Sequence, residues 1–400
     1  MVNSMKILQI NIFATLSTGR IAVDLYKTLV KNGDEGCIAF ARGSIEKDIP
    51  NIRIGSELDV KLHGIATRIT DKTGFYSINP TKKLIEQIKQ YNPDIIHLHN
   101  IHGYYINIEL LFNFLKEYNK PVVWTLHDCW AFTGHCAYFD LANCNKWKSH
   151  CKKCPQKKEY PKSLIMDNSY WNFDKKKELF CDVKNMVLVT PSKWLAELVK
   201  LSFLKEYPIK VINNGIDLTV FKPTKSNIRK QYNLEDKFVI LGVAGVWDKR
   251  KGLADFIELS KNLDDKFRIV VVGVTEKQQQ NLPKNMIGIL RTHNVKELAQ
   301  LYSTADVFVN PTYEDNFPTT NLEALACGTP VITYNTGGSV ESVNNTCGIV
   351  SPQGNINELK NNILKCFKNN FDEYNCANAG LKYDKFKCFK EYIDLYRRII

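Results

Sequence analysis

The sequence predicts an α/β protein of two Rossmann-like domains facing a central cleft. Three observations carry that expectation. At 400 residues the chain exceeds what one hydrophobic core usually supports, so two domains are expected. Apolar strand-like runs alternate with amphipathic stretches along both halves. The rhythm breaks once, at "NNGIDLTVFKP", and then starts again.

In the first half the order runs "KILQINIF", "IAVDLYKTLVKNG", "CIAFARG", "TKKLIEQIKQY", "DIIHLHN", "NIELLFNFLKEYN", "PVVWTLHD", "MVLVTPS" and "KWLAELVKL". Continuous apolar strands separated by helices read as a parallel sheet covered on both faces. After the break come "KFVILGVAG", "LADFIELSKNL", "RIVVVGV", "VKELAQLYSTA", "DVFVNPT", "TTNLEALACG" and "PVITYN". Asn214, Gly215 and Pro223 mark the boundary, with a linker expected near 216–224. The expected divisions are 1–215, 216–380, and a C-terminal helix over 381–400 that packs back on the first domain.

Composition is that of a globular protein, 44% hydrophobic and 24% charged. Lys plus Arg of 54 against Asp plus Glu of 42 gives +12, which favours an anionic partner: nucleic acid, a phosphorylated ligand or an anionic membrane surface. The opening "MVNSMKILQINIF" has its apolar run broken by Gln9 and Asn11, and no window approaches a membrane span. A cytoplasmic location is expected.

Open parallel sheets bind ligands at the carboxyl ends of their strands, so the loops there are where chemistry is expected. In "DVFVNPTYEDNFPTTNLEALACG" a strand leads through an acidic loop into a helix with Pro318 near its first position. Thr319 and Thr320 then offer backbone N–H groups to an anion such as a diphosphate. Glu314, Asp315 and Glu323 flank that position, and carboxylates suit sugar hydroxyls. Complementing the helix dipole would explain Glu323 but not the Glu314–Asp315 pair.

A second loop, "GVAGVWDKRKGLADF", sets Lys249, Arg250 and Lys251 before a helix, the end where cations are unfavourable unless an anion joins them. Gly245 and Gly252 flank it and suit close backbone approach. Gly19 sits where the first strand turns into its helix, but without a G-x-G-x-x-G a dinucleotide is a poor fit. His97 and His99 share a strand face, and His102 and His127 follow at strand ends. No third ligand at useful spacing supports a metal on the His97/His99 pair, whereas His127, followed by Asp128, suits a sugar contact.

Together these pieces resemble the GT-B fold glycosyltransferases of the large retaining family called family 4, over nearly the whole chain. "DNFPTTNLEALACGTPVI" is similar to that family's acidic-x7-Glu motif, with Asp315 first and Glu323 second. "VTPSKWLAELV", "VINNGID", "FKP" and "LAQLYSTADVFVNPTYED" match in the same order. The resemblance implies an acceptor-binding first domain and a second domain that binds a nucleotide sugar, with UDP the expected nucleotide. It implies that Asp315 or its neighbour Glu314 meets the donor sugar, with Phe317 and Pro318 beside them. Glu323 would hold the ribose, Arg250 and Lys251 the diphosphate, Gly19 the phosphates through its backbone, and His127 the donor sugar. The family often has an Arg where this chain has Val246 and Trp247. The implied reaction needs no metal, because these cations and the helix end supply the positive charge.

Cys136, Cys144, Cys151 and Cys154, ending in a C-x2-C, suit a closed tetrahedral structural zinc or else four reduced thiols or two disulfides. The lysine-rich window 146–177 carries Trp147, Tyr160, Trp171 and Phe173, a mixture suited to an anionic bilayer and so to a polyprenyl-linked acceptor and peripheral attachment at the inner face of the cell membrane. The expected function is transfer of a sugar to a saccharide or lipid-linked saccharide in bacterial surface polysaccharide assembly. Two other readings stand beside it: a nucleotide-sugar epimerase of the same fold, and a zinc-bearing nucleic-acid-binding protein. No nucleic acid partner is expected, since the lysines do not line one recognition helix.

Overall fold

The computed structural model describes residues 4–369 and 371–400. They form two compact units: residues 4–213 with 388–400, and residues 214–369 with 371–387. The first holds a seven-stranded sheet of β1 (Lys6–Phe13), β2 (Glu35–Arg42), β3 (Asn51–Arg53), β4 (Ile95–Leu98), β5 (Val122–Thr125), β6 (Met186–Thr190) and β7 (Ile209–Val211). The second holds a six-stranded sheet of β8 (Phe238–Val243), β9 (Phe267–Val272), β10 (Met286–Ile289), β11 (Val307–Asn310), β12 (Val331–Tyr334) and β13 (Gly348–Ser351).

All pairings are parallel, and the orders β3-β2-β1-β4-β5-β6-β7 and β10-β9-β8-β11-β12-β13 each reverse once. The reversals fall between β1 and β4, where Ile7 pairs with Ile95, and between β8 and β11, where Val307 pairs with Ile240. Outside the carboxyl ends of such strands, adjacent loops part and leave a crevice for a ligand. The loops after β1, β4, β8 and β11 are therefore where the fold places chemistry.

Strand interiors are buried on both faces, as continuous apolar runs require. In the first unit Ile10, Ile96, Leu111, Trp124 and Phe180 belong to the main core. The C-terminal helix begins at Lys385 rather than 381 and ends at Ile399. Its Phe389, Tyr392, Ile393 and Tyr396 share a core with Met5, Ile7 and Leu25, and Arg397 holds buried Asp34 through two contacts of 3.1 Å. The stretch 216–224, expected as a linker, is part of the second unit. Ile216 donates its N–H to Tyr383 O at 2.8 Å, and Phe221 is buried.

Candidate active site

In the second unit two loops interlock. β8 leads into the short 3-10 turn Lys249–Lys251 and the helix Leu253–Lys261, while β11 leads into the acidic loop and the helix Thr319–Ala326. Gly252 joins the first turn to its helix with φ +74°, and a Cβ there would lie 2.2 Å from Pro311 O. Only glycine permits this approach. Across the seam Arg250 O accepts from Tyr313 N at 2.8 Å and from Thr312 Oγ1 at 3.2 Å. Gly245, expected to serve close approach as well, has open space where its Cβ would stand.

This seam brings together the cations and acids that the sequence singled out. Lys251 Nζ lies 2.5 Å from Asp315 Oδ2, and Arg250 Nη1 donates to Glu314 O at 3.2 Å. Glu314 and Asp315 are both buried. The cations also have a partner that the sequence reading missed: Asp248 Oδ1 accepts from Arg250 N at 3.0 Å and Lys251 N at 3.2 Å. The signal was an acid just before a basic turn, which is an N-cap.

The helix Thr319–Ala326 starts at Pro318 with no side-chain cap on its first N–H groups, so Thr319 and Thr320 stand at a helix end suited to an anion. Buried Asn321 fixes that helix to the sheet: its Oδ1 accepts from Asn310 Nδ2 at 2.8 Å, and its Nδ2 donates to Ser339 O at 3.1 Å. Phe317 packs its ring 5.6 Å from that of Tyr383. Glu323 is buried and accepts from Tyr302 OH at 3.0 Å. Tyr302, like Asp255, which accepts from Tyr313 OH at 2.9 Å and Tyr334 OH at 2.6 Å, carried no signal in the sequence. Both act through partners far along the chain.

In the first unit the loops after β1, β4 and β5 meet. Gly19 is buried in the helix Leu16–Lys31, where a Cβ would lie 2.7 Å from Ala14 C and 2.9 Å from Phe13 O. Asn11 ties this turn to the end of β4, donating to Thr18 Oγ1 at 3.2 Å and accepting from Asn100 N at 3.3 Å. The histidines form a ladder. His127 Nε2 is 3.1 Å from His99 Nδ1, and His99 Nε2 is 3.1 Å from Gln9 Oε1. His97 lies between Thr125 Oγ1 at 2.8 Å and Tyr396 OH at 2.6 Å. Burial pushes His97 down to about 3 and His127 down to about 4, with neighbouring Asp128 opposing the second shift. Neutral imidazoles hydrogen-bonded in this way orient ligands without adding charge.

His102 Nε2 meets Asp128 Oδ2 at 2.9 Å. Burial acts to raise the Asp128 carboxyl, but His102 and the Trp130 N–H outweigh it and the net shift is downward. His99, His102, His127, Asp128 and Trp130 line one pocket.

The four cysteines of the C-x2-C region line a cavity together with His135 and Trp147. His135 Nε2 and Trp147 Nε1 are buried there without a hydrogen-bond partner. Beside them Lys176, also buried, donates to Trp130 O at 2.7 Å and Thr133 O at 2.9 Å. All four thiols are free, and among the described residues no three His, Cys, Asp or Glu side chains stand ready to hold a metal. Of the four aromatics expected to line the lysine-rich window's surface, Tyr160 is exposed. Trp147 and Phe173 are buried, and Trp171 packs 4.7 Å from Phe75. Trp147 and Phe173 thus belong to the core rather than to a surface.

Comparison with known proteins supplies the family. Residues 18–220 match Glycosyltransferase Family 4, and residues 224–383 match Glycosyl transferases group 1. A chain of Escherichia coli K12 named as a colanic acid biosynthesis glycosyl transferase, WcaC, is 24% identical over 99% of this chain and 100% of its own. The N,N'-diacetylbacillosaminyl-diphospho-undecaprenol alpha-1,3-N-acetylgalactosaminyltransferase of Campylobacter jejuni is 29% identical over 51% of this chain and 58% of its own. Among solved structures, sucrose-phosphate synthase from Thermosynechococcus elongatus superposes with TM-score 0.74 at 17% identity, covering 99% of each chain. Anabaena Alr3699/HepE in complex with UDP superposes with TM-score 0.70 at 15% identity, covering 98% of this chain and 100% of its own. The chain belongs to Glycosyltransferase Family 4 and is a transferase of GT-B fold.

Proposed function

We propose that this enzyme transfers a sugar, with retention at the anomeric carbon, from a UDP-sugar to a hydroxyl of a saccharide or polyprenyl-linked saccharide, in the assembly of a bacterial surface polysaccharide. The observation that carries this reading is the second-unit seam, where Arg250 and Lys251 adjoin Asp315 and an uncapped helix end. Solved neighbours of the same fold hold UDP or UDP-glucose, and relatives are named for polysaccharide or undecaprenol-linked transfer.

In this reading Lys251, Arg250 and the N–H groups of Thr319 and Thr320 take up charge on the departing diphosphate. Glu323, held by Tyr302, accepts from the ribose hydroxyls. Asp315, with Glu314 beside it, orients the donor sugar, and Phe317 and Pro318 fix the loop. In the first unit Gly19 lets backbone approach the phosphates, and neutral His127 hydrogen-bonds a sugar hydroxyl. The bond from the anomeric carbon to the diphosphate oxygen breaks, the bond to the acceptor oxygen forms on the same face, and the acceptor proton leaves with the departing group. No metal has a role in this step.

The test is to incubate purified protein with UDP- and GDP-linked hexoses in the presence of a chelator. Slow hydrolysis of one UDP-sugar, with release of the α anomer from an α-linked donor, is expected. Inversion, or epimerised donor with no release of nucleotide, would remove the reading.

A structural zinc held by Cys136, Cys144, Cys151 and Cys154 is proposed as well. The shared cavity supports it, as do the unpartnered indole N–H of Trp147 and the buried ammonium of Lys176, each suited to a neighbouring thiolate cluster.

A further inference from the structure

Gln9 and His99 interrupt apolar runs of the first sheet, and both are buried. Burying polar groups there is costly unless each finds hydrogen-bond partners, and the partners they find admit one arrangement of protons. Gln9 Nε2 donates at 2.9 Å to the carbonyl of Ala22, in the helix Leu16–Lys31. A carbonyl only accepts, so the amide presents its oxygen at the other end, where Oε1 faces His99 Nε2 at 3.1 Å. His99 Nε2 must therefore carry a proton.

Burial and the two neighbouring imidazoles hold His99 well below the ordinary histidine range, so its ring is neutral and has one proton to place. With that proton on Nε2, His99 Nδ1 is a bare acceptor. His127 Nε2 stands 3.1 Å from it, the two rings 19° from parallel, and it is the donor of that bond. His127 is neutral as well, pushed down to about 4 by burial, which leaves a lone pair on its Nδ1. The backbone of His99 is held at both groups: its N donates to Ile10 O at 2.9 Å, and its O accepts from Trp124 Nε1 at 3.2 Å. His97 lies against His99 with ring centroids 4.1 Å apart. Its own partners, the hydroxyls of Thr125 and Tyr396, suit either tautomer, so the direction of the series is set at the Gln9 end.

We infer that Gln9, acting through His99, fixes His127 as the Nε2–H tautomer, so that His127 meets the donor sugar as a hydrogen-bond acceptor at Nδ1. Gln9 and His99 are then positioning residues for the transfer. The inference rests on the proposed contact of His127 with the sugar for its purpose. An acceptor at that place selects a sugar hydroxyl, which can donate, over a fluorine on the same carbon, which cannot. Without the Gln9 oxygen, the buried Nε2–H of His99 would be left unsatisfied. Both protons then change sides: His99 donates from Nδ1 to His127 Nε2, and His127 carries its proton on Nδ1.

The experiment records proton–nitrogen correlation spectra of the full chain labelled with nitrogen-15 histidine. The His127 signals are identified by their loss in His127→Asn. Hydrolysis of the UDP-hexose that wild type accepts is followed for the same proteins. Wild type should show a protonated Nε2 and a bare Nδ1 on His127. Gln9→Met should exchange the two and lower kcat/KM for the UDP-hexose by about tenfold or more, with the affinity for UDP unchanged. Gln9→Glu, which returns an acceptor to His99, should keep the wild-type pattern and most of the activity. A bare Nε2 on His127 in wild type would overturn the inference, and this result stands even where Gln9→Met fails to fold. So would an unchanged pattern in Gln9→Met, or wild-type turnover by a variant whose protons have exchanged. The spectrum needs no donor: a wild-type chain that hydrolyses nothing would count against the proposed transfer, while the tautomer is still decided.

Discussion

Lys251 Nζ and Asp315 Oδ2 lie 2.5 Å apart across two loops that follow different strands of the same sheet. Neither loop could hold its residue there without the other. Gly252 and Pro311 touch through backbone, and Arg250 O takes two hydrogen bonds from the acidic loop. The ion pair therefore reports how both loops are set, and each partner has a separate part in the proposed chemistry.

Replacing Asp315 with Asn keeps the shape and removes the charge. Steady-state assays should show kcat/KM for the UDP-sugar reduced by about a hundredfold, while the affinity for UDP alone changes little. An equal loss in UDP affinity would move Asp315 from the sugar to the nucleotide.

Glu323 and Tyr302 make a buried pair at 3.0 Å. Glu323→Gln should weaken UDP binding by about tenfold, and Tyr302→Phe by less, because the carboxylate then loses its orientation but not its charge. Isothermal calorimetry of both variants checks the order.

Gly19→Ala places a Cβ within 2.7 Å of the Ala14 carbonyl carbon. Such overpacking costs about 1–3 kcal/mol, so the urea midpoint of the variant should fall. An unchanged midpoint would show that the turn relaxes.

Acid should destabilise the first unit through its histidines. His63 and His97 are each pushed down to about 3 and His127 to about 4 by burial, whereas an unfolded chain takes up their protons near pH 6.5. Between those limits the unfolded state binds more protons, so stability rises with pH from about 4 to 6.5 and is lost on acidification through that window. His97→Gln should flatten the slope of stability against pH by up to about 1.4 kcal/mol per unit, read from urea unfolding at a series of pH values.

For the cysteines, elemental analysis of protein purified without added metal should give about one zinc per chain, falling sharply in Cys154→Ser. Four readily titrated thiols without zinc would leave a reduced cluster.

The strands buried on both faces were legible because a parallel strand must be apolar at every position, as "VVWT" and "VFVN" are. The four edge strands, β3, β7, β10 and β13, were not read, since short edge strands show little apolar pattern. The helix Glu57–Thr70 escaped for a different reason. Its buried face is Val60, His63, Gly64 and Thr67, with one apolar side chain among four, so the usual rule of apolar inside gives little reading. At the site, the acids and cations announced themselves by spacing. Asp248 as a cap was readable locally but missed, and Tyr302 behind Glu323 depends on a fold that sets two helices together.

The most direct test of the account titrates UDP into wild type and into Lys251→Ala, without metal, by calorimetry. Saturable binding by wild type, weakened at least about tenfold in Lys251→Ala, is the predicted result. Equal affinity in the two proteins would contradict the assignment of the second-unit seam as the donor diphosphate site.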